Sequence, residues 1–131
     1  MEFSVPMRIY IEDTDAGGVV FHPNYLKFME RARWEWMHQS GILKVDPFRK
    51  ERQFMVAKLS IEYLKPMFLD QQIIVTAKVF YSKRVRCVFK QEIISVCRSI
   101  LFASAVVEIV CVDTENFRPQ RLPNFLCSIS G

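Results

Sequence analysis

The hydrophobic repeat changes once along this chain, and that change limits the folds open to it. After Pro23 the apolar residues Tyr25, Phe28, Met29, Ala32 and Trp36 recur at the spacing of one helix stripe. From Phe54 onward the repeat is two, in stretches at 54–64, 73–82, 85–96 and 101–113, as in half-buried strands. A helical bundle cannot hold the second half, and a doubly wound parallel sheet needs helices between its strands that this sequence lacks. What remains is α+β: an opening strand, one long helix and four strands expected to run as a meander, with the helix clasped by the sheet. At 131 residues, half of them apolar, the chain suffices for a single domain over 1–131 whose core needs no metal or disulfide staple.

Local signals set the boundaries. Residues 6–11 read as a strand that breaks into a turn-rich acidic loop at 12–18. Pro23 suits the first position of a helix, where its missing N–H costs nothing. Gly41 supplies a stop after about 18 residues, or ~27 Å of helix. The helix's other side carries Lys27, Glu30, Arg31, Arg33 and Glu35, with Arg31 and Glu35 spaced for an i,i+4 pair. In the first long strand Ala57, Leu59, Ile61 and Tyr63 share one face, while Lys58, Ser60 and Glu62 share the other. Hairpin turns are expected at 81–84 and 98–99, and Pro119 and Pro123 end regular structure.

No apolar run approaches the ~20 residues of a spanning helix. The first residues, with Glu2 and no basic or apolar segment, do not read as a secretory signal, so the expected location is cytoplasmic. Cys87, Cys97, Cys111 and Cys127 stand far apart with no C-x-x-C pair, which argues for reduced structural thiols rather than a zinc site. The net charge of +4 suits an anionic partner. A nucleic acid is not the expected one, because neither an aromatic-interleaved basic strand nor a recognition helix is present.

The loop at 13–22 concentrates the chemistry-bearing residues: Asp13 and Asp15, Gly17 and Gly18, and His22 directly before the helix. A helix start presents unpaired N–H groups that can stabilise a carbonyl oxygen as it gains charge. A nearby carboxylate can act as general base on water or as nucleophile, and the glycines let the backbone approach a substrate closely. The same residues also suit purely structural work, since acidic residues before helices cap them or turn the chain. As a calcium loop the segment fails: Gly17 stands where an oxygen ligand belongs, and no Glu closes twelve residues. Phosphate-loop and dinucleotide fingerprints are absent, as is a G-x-S-x-G nucleophile elbow.

The run from Tyr10 to Tyr25, with Asp-Thr-Asp-Ala-Gly-Gly at 13–18, followed by 28–33, resembles the hotdog-fold acyl-CoA thioesterases of the 4-hydroxybenzoyl-CoA thioesterase type. Within them it is most similar to the bacterial Tol-Pal-associated YbgC group. The likeness continues through 61–66, 69–70, 110–113, 118–119 and 122–123, essentially the whole chain. It implies a long helix wrapped by a five-stranded antiparallel sheet, and protomers that pair edge to edge as dimers, commonly tetramers, with sites at the dimer interface. It also places the catalytic carboxylate on Asp15, a choice between Asp13 and Asp15 that residue chemistry alone leaves open. His22 falls where the family positions thioester or water, and the amides of Val20, Phe21 and His22 fall on the oxyanion site. Phe21 stands where close relatives often have Tyr.

The implied reaction is hydrolysis of an acyl-CoA, of aliphatic type by group, with no cofactor because CoA is part of the substrate. An acyl carrier protein is a further possible partner by the same likeness. Lys83, Arg84 and Arg86 at one hairpin, with Lys58 on an earlier strand, offer a basic surface for CoA phosphates. A solvated turn that blunts a sheet edge has the same composition. A non-catalytic acyl-CoA or acyl-carrier-protein binding module on the same fold is the alternative from a different class.

Overall fold

The computed structural model describes residues 3–40 and 52–122; Gly41, Pro123 and Cys127 therefore lie outside the described residues. Strand β1 (Phe3–Arg8) leads through a short 3-10 turn (Ile11–Asp13) and the acidic loop into α1 (Pro23–Ser40). Strands β2 (Arg52–Tyr63), β3 (Gln72–Lys83), β4 (Arg86–Ser95) and β5 (Leu101–Asp113) follow. All pairings are antiparallel, in one five-stranded sheet of order β1-β3-β4-β5-β2. This is the hotdog arrangement of one helix against one antiparallel sheet.

The helix forms where its stripe predicts, and Tyr25, Phe28, Met29, Ala32 and Trp36 are all buried. They pack against alternate residues of the sheet, Ile73, Val75 and Ala77 on β3 and Ala103, Ala105 and Val107 on β5. Trp36 meets Phe89 of β4 edge-on at 5.2 Å. Burying one such large apolar side chain contributes about 1.5–3 kcal/mol, and this contiguous cluster fixes how α1 lies on the sheet. Among the described residues no helix is long and apolar enough to cross a membrane.

Three expectations about the strands are corrected by the sheet. The strands after the helix are not a simple meander: only β3, β4 and β5 run as one, while β2 crosses over to pair with β5. The outer edge of β3 is already taken by β1, whose Pro6 is tolerated because β1 is an edge strand. That opening strand stops at Arg8 rather than running to residue 11, since β3 begins at Gln72 opposite it. Ala57 does not join the inward face of β2, because a bulge between Val56 and Lys58 leaves it unpaired; Leu59 and Ile61 do pack on the core.

Arg33 is not on the solvent side of α1. It is only 6% exposed, and its Nη1 donates to Gln91 Oε1 at 2.9 Å. Gln91, fully buried, donates in turn to the carbonyls of Met29 and Thr76 at 2.9 and 3.1 Å. Burial lowers the Arg33 pKa, and the Glu30 carboxylate pulls it back. The predicted Arg31–Glu35 pair does not form; Arg31 instead lies over the Phe28 ring at 5.7 Å.

Candidate active site

The two aspartates of the acidic loop have different work, and the geometry separates them. Asp13 is 2% exposed. Its Oδ2 accepts the Tyr10 N–H at 2.8 Å and its Oδ1 accepts the Asn24 side-chain amide at 3.0 Å. Both oxygens are thus spent tying the 3-10 turn to the first turn of α1. Asp15 is exposed, and its Oδ1 accepts the Gly17 N–H at 2.8 Å. Among the described residues its Oδ2 has no hydrogen-bond partner, so one carboxylate oxygen faces outward.

The loop that presents Asp15 is closed on itself. Asp15 N–H donates to Val19 O at 2.9 Å and Gly18 N–H to Asp15 O at 3.0 Å. Gly18 adopts φ +81°, a left-handed conformation that other residues resist by roughly 1–2 kcal/mol. At Gly17 an added Cβ would sit 3.3 Å from Asp15 Oδ1, crowding the carboxylate. Met67, after the end of β2, anchors the loop's exit by accepting the Val20 N–H at 2.9 Å.

The same bonds decide which amides remain free beside the helix. Val20 N–H is held by Met67 O, and Phe21 N–H donates to Asp13 O at 3.0 Å. Neither points outward as an oxyanion donor in this protomer. Pro23 has no N–H, and Asn24 and Tyr25 donate to the carbonyls of Phe21 and His22 at 2.8 and 3.2 Å. The His22 N–H has no acceptor among the described residues, which leaves it as the donor at the entry of α1. Around this entry Phe21, Tyr63 and Phe68 are exposed apolar side chains, the first two against the His22 ring and Phe68 bridged to the loop through Val19.

The basic residues lie elsewhere in the same protomer. Lys83 and Arg86 pair across the β3–β4 hairpin and, with Tyr81, Arg84 and Val85, line a cleft of about 430 Å³. Arg84 takes φ +52° at that turn, which falls at 84–85 rather than 81–84 because β3 runs through Lys83. The acidic loop sits beside the opposite end of β3, where Ile9 N–H donates to Gln71 O. At ~3.4 Å per residue along β3 the hairpin is on the order of 35 Å away. Lys58 lies mid-strand opposite Glu108, which also approaches Arg86 at 3.7 Å.

Asn24 and Tyr63 were not legible as site residues. Asn24 secures Asp13, and Tyr63 lies edge-on to His22 with ring centroids 5.9 Å apart; a strand end far along the chain carries no local signal for such a contact. No group of three or more His, Cys, Asp or Glu that could hold a metal occurs among the described residues.

A family model described as the thioesterase-like superfamily matches residues 9–129. The chain is 36% identical over 121 residues to an acyl-CoA thioester hydrolase YbgC of Escherichia coli O6:H1, covering 92% of this chain and 90% of that protein. Among solved structures, a probable thioesterase from Bartonella henselae superposes with TM-score 0.78 at 30% identity, covering 93% of this chain and 98% of that one. A DHNA-CoA thioesterase from Staphylococcus aureus superposes with TM-score 0.86 at 25% identity, over 97% and 85% of the two chains.

Proposed function

The chain belongs to the thioesterase-like superfamily, and from that premise we propose that it is an acyl-CoA thioesterase using Asp15 as general base or nucleophile. The observation that carries this reading is the pairing of an outward carboxylate oxygen on Asp15 with an unspent His22 N–H at the start of α1. The thioester carbonyl oxygen sits at the His22 N–H, where the helix dipole favours the developing negative charge. On one route Asp15 takes a proton from water as the water oxygen attacks the carbonyl carbon. The tetrahedral adduct then expels CoA as thiolate, giving the free acid. On the other route Asp15 attacks the carbonyl itself and expels CoA thiolate, and water then hydrolyses the mixed anhydride. The His22 imidazole positions the thioester or the water.

The exposed apolar side chains of Phe21 and Phe68 beside the loop favour an uncharged acyl group of aliphatic type. Among the described residues strand β2 pairs on one side only, and with exposed Met55 and Val56 it offers a surface suited to a second copy. Antiparallel pairing of two β2 strands by a two-fold axis turns the partner's sheet end for end. In that dimer the Lys83-Arg84-Arg86 hairpin of one protomer lies toward the Asp15 loop of the other, where CoA phosphates extend; two dimers would make a tetramer.

The test is steady-state release of free thiol from a CoA panel running from acetyl to palmitoyl, with benzoyl and 4-hydroxybenzoyl esters included. Turnover of aliphatic esters is expected. Tight acyl-CoA binding without turnover on any ester would replace this reading with a binding module.

A further inference from the structure

His22 is exposed, and among the described residues neither of its ring nitrogens is in a hydrogen bond. A histidine in a reaction site is ordinarily oriented by a hydrogen bond to its second nitrogen. Here the ring meets two aromatic neighbours instead: Phe21 at 5.3 Å, tilted 59°, and Tyr63 at 5.9 Å, edge-on at 87°. Phe21 is the adjacent residue in the loop, half exposed, and moves with it. Tyr63 belongs to the sheet, paired with Ala103 of β5.

Tyr63 is itself braced from the core. It stands edge-on to Tyr25 at 5.0 Å and 81°. Tyr25 is 4% exposed, and its hydroxyl donates to Lys65 O at 3.2 Å. A chain of contacts thus runs from the buried first turn of α1, through the end of β2, to the imidazole.

We propose that Tyr63 is a positioning residue that orients the His22 imidazole over the reaction centre by edge-to-face packing, in place of a hydrogen-bonded partner. The proposal rests on the thioesterase reading for the role of His22 and on the ring geometry for the role of Tyr63. Loss of one such aromatic contact corresponds to about a three- to tenfold fall in the population of the productive geometry. The ring, not the hydroxyl, supplies the contact.

The chain has two histidines, so their Cε1–H resonances are readily assigned. His38, edge-on to Trp34 at 5.5 Å, serves as an internal reference. Tyr63→Leu is expected to move the His22 resonance, leave that of His38 in place, and lower kcat about three- to tenfold with KM within about twofold. Tyr63→Phe should restore both. In a His22→Ala background Tyr63→Leu should have no further effect on kcat. An unmoved His22 resonance, or a kcat loss that persists in the His22→Ala background, overturns the proposal. If the wild-type protein hydrolyses no acyl-CoA, the thioesterase reading fails by itself, and the resonance still decides whether the Tyr63 ring packs on His22 in solution.

Discussion

Replacing Asp13 with Ala should release the loop from its anchor while leaving the outward carboxylate of Asp15 untouched. The substitution strands two donors, the Tyr10 N–H and the Asn24 amide, that now bond to the Asp13 oxygens at 2.8 and 3.0 Å. A hydrogen bond to an ionised acceptor contributes about 1.5–3 kcal/mol. The two share one residue, and Tyr10 is exposed enough for water to replace part of its bond, so the expected loss is about 2–4 kcal/mol. Asp13→Asn should be far milder. Asn24 can rotate its amide so that its oxygen accepts from the new side-chain amide, while the new carbonyl still accepts the Tyr10 N–H. Both bonds then survive in neutral form, at a cost of about 1 kcal/mol. Urea unfolding at fixed pH reads both values from the shift in midpoint at unchanged slope. A loss below about 1 kcal/mol for Asp13→Ala, or an Asn variant as unstable as the Ala variant, would refute the anchoring argument.

The core network makes a second stability prediction: Gln91→Leu leaves the buried Arg33 guanidinium without its acceptor and should cost about 3 kcal/mol in urea unfolding. Adding Arg33→Leu should recover part of that loss, whereas strictly additive losses would contradict the coupling. Cys97 is exposed and its thiol is pulled down to about 7, chiefly by hydrogen bonding to Ser99 and then Ser95; burial pushes the Cys87 thiol up to about 12. Alkylation of the native protein by iodoacetamide should therefore rise with pH through about 7 at Cys97 and spare Cys87. Ser99→Ala should move that midpoint upward, and an unmoved midpoint would contradict the assigned cause. Lys83→Glu combined with Arg84→Glu should raise KM for CoA esters about tenfold and leave KM for a phosphate-free N-acetylcysteamine thioester unchanged; equal effects on both would remove the hairpin from phosphate binding.

The parts of the fold that sequence disclosed are those set by local repeat and punctuation. Pro23 and the 3.6-residue stripe located α1 at Pro23–Ser40, and unbroken alternation located β5 at Leu101–Asp113. What escaped depends on contacts between distant segments. The partner of β2 follows from which sheet edges β1 leaves open, and the Ala57 bulge from register against β5. Arg33 looks like a surface residue until Gln91, on another element, offers it an acceptor. In the site, the acidic loop and the helix entry were visible as a unit. Spacing could not distinguish Asp13 from Asp15, because the difference is which carboxylate Tyr10 and Asn24 capture. The same holds for the amides: Val20 and Phe21 are spent on Met67 and Asp13, and that leaves the His22 N–H.

The central claim is that the outward oxygen of Asp15 does the chemistry on a thioester seated at the His22 N–H. Its most direct test is thiol release by wild type and Asp15→Asn on the aliphatic acyl-CoA that wild type turns over fastest, with the urea midpoint of each measured alongside. The account predicts a fall in kcat of at least ~10²–10³, the scale of losing one positioned group in such a site, with the midpoint unchanged because Asp15 is exposed. An Asp15→Asn variant that keeps its kcat within about tenfold of wild type would contradict it.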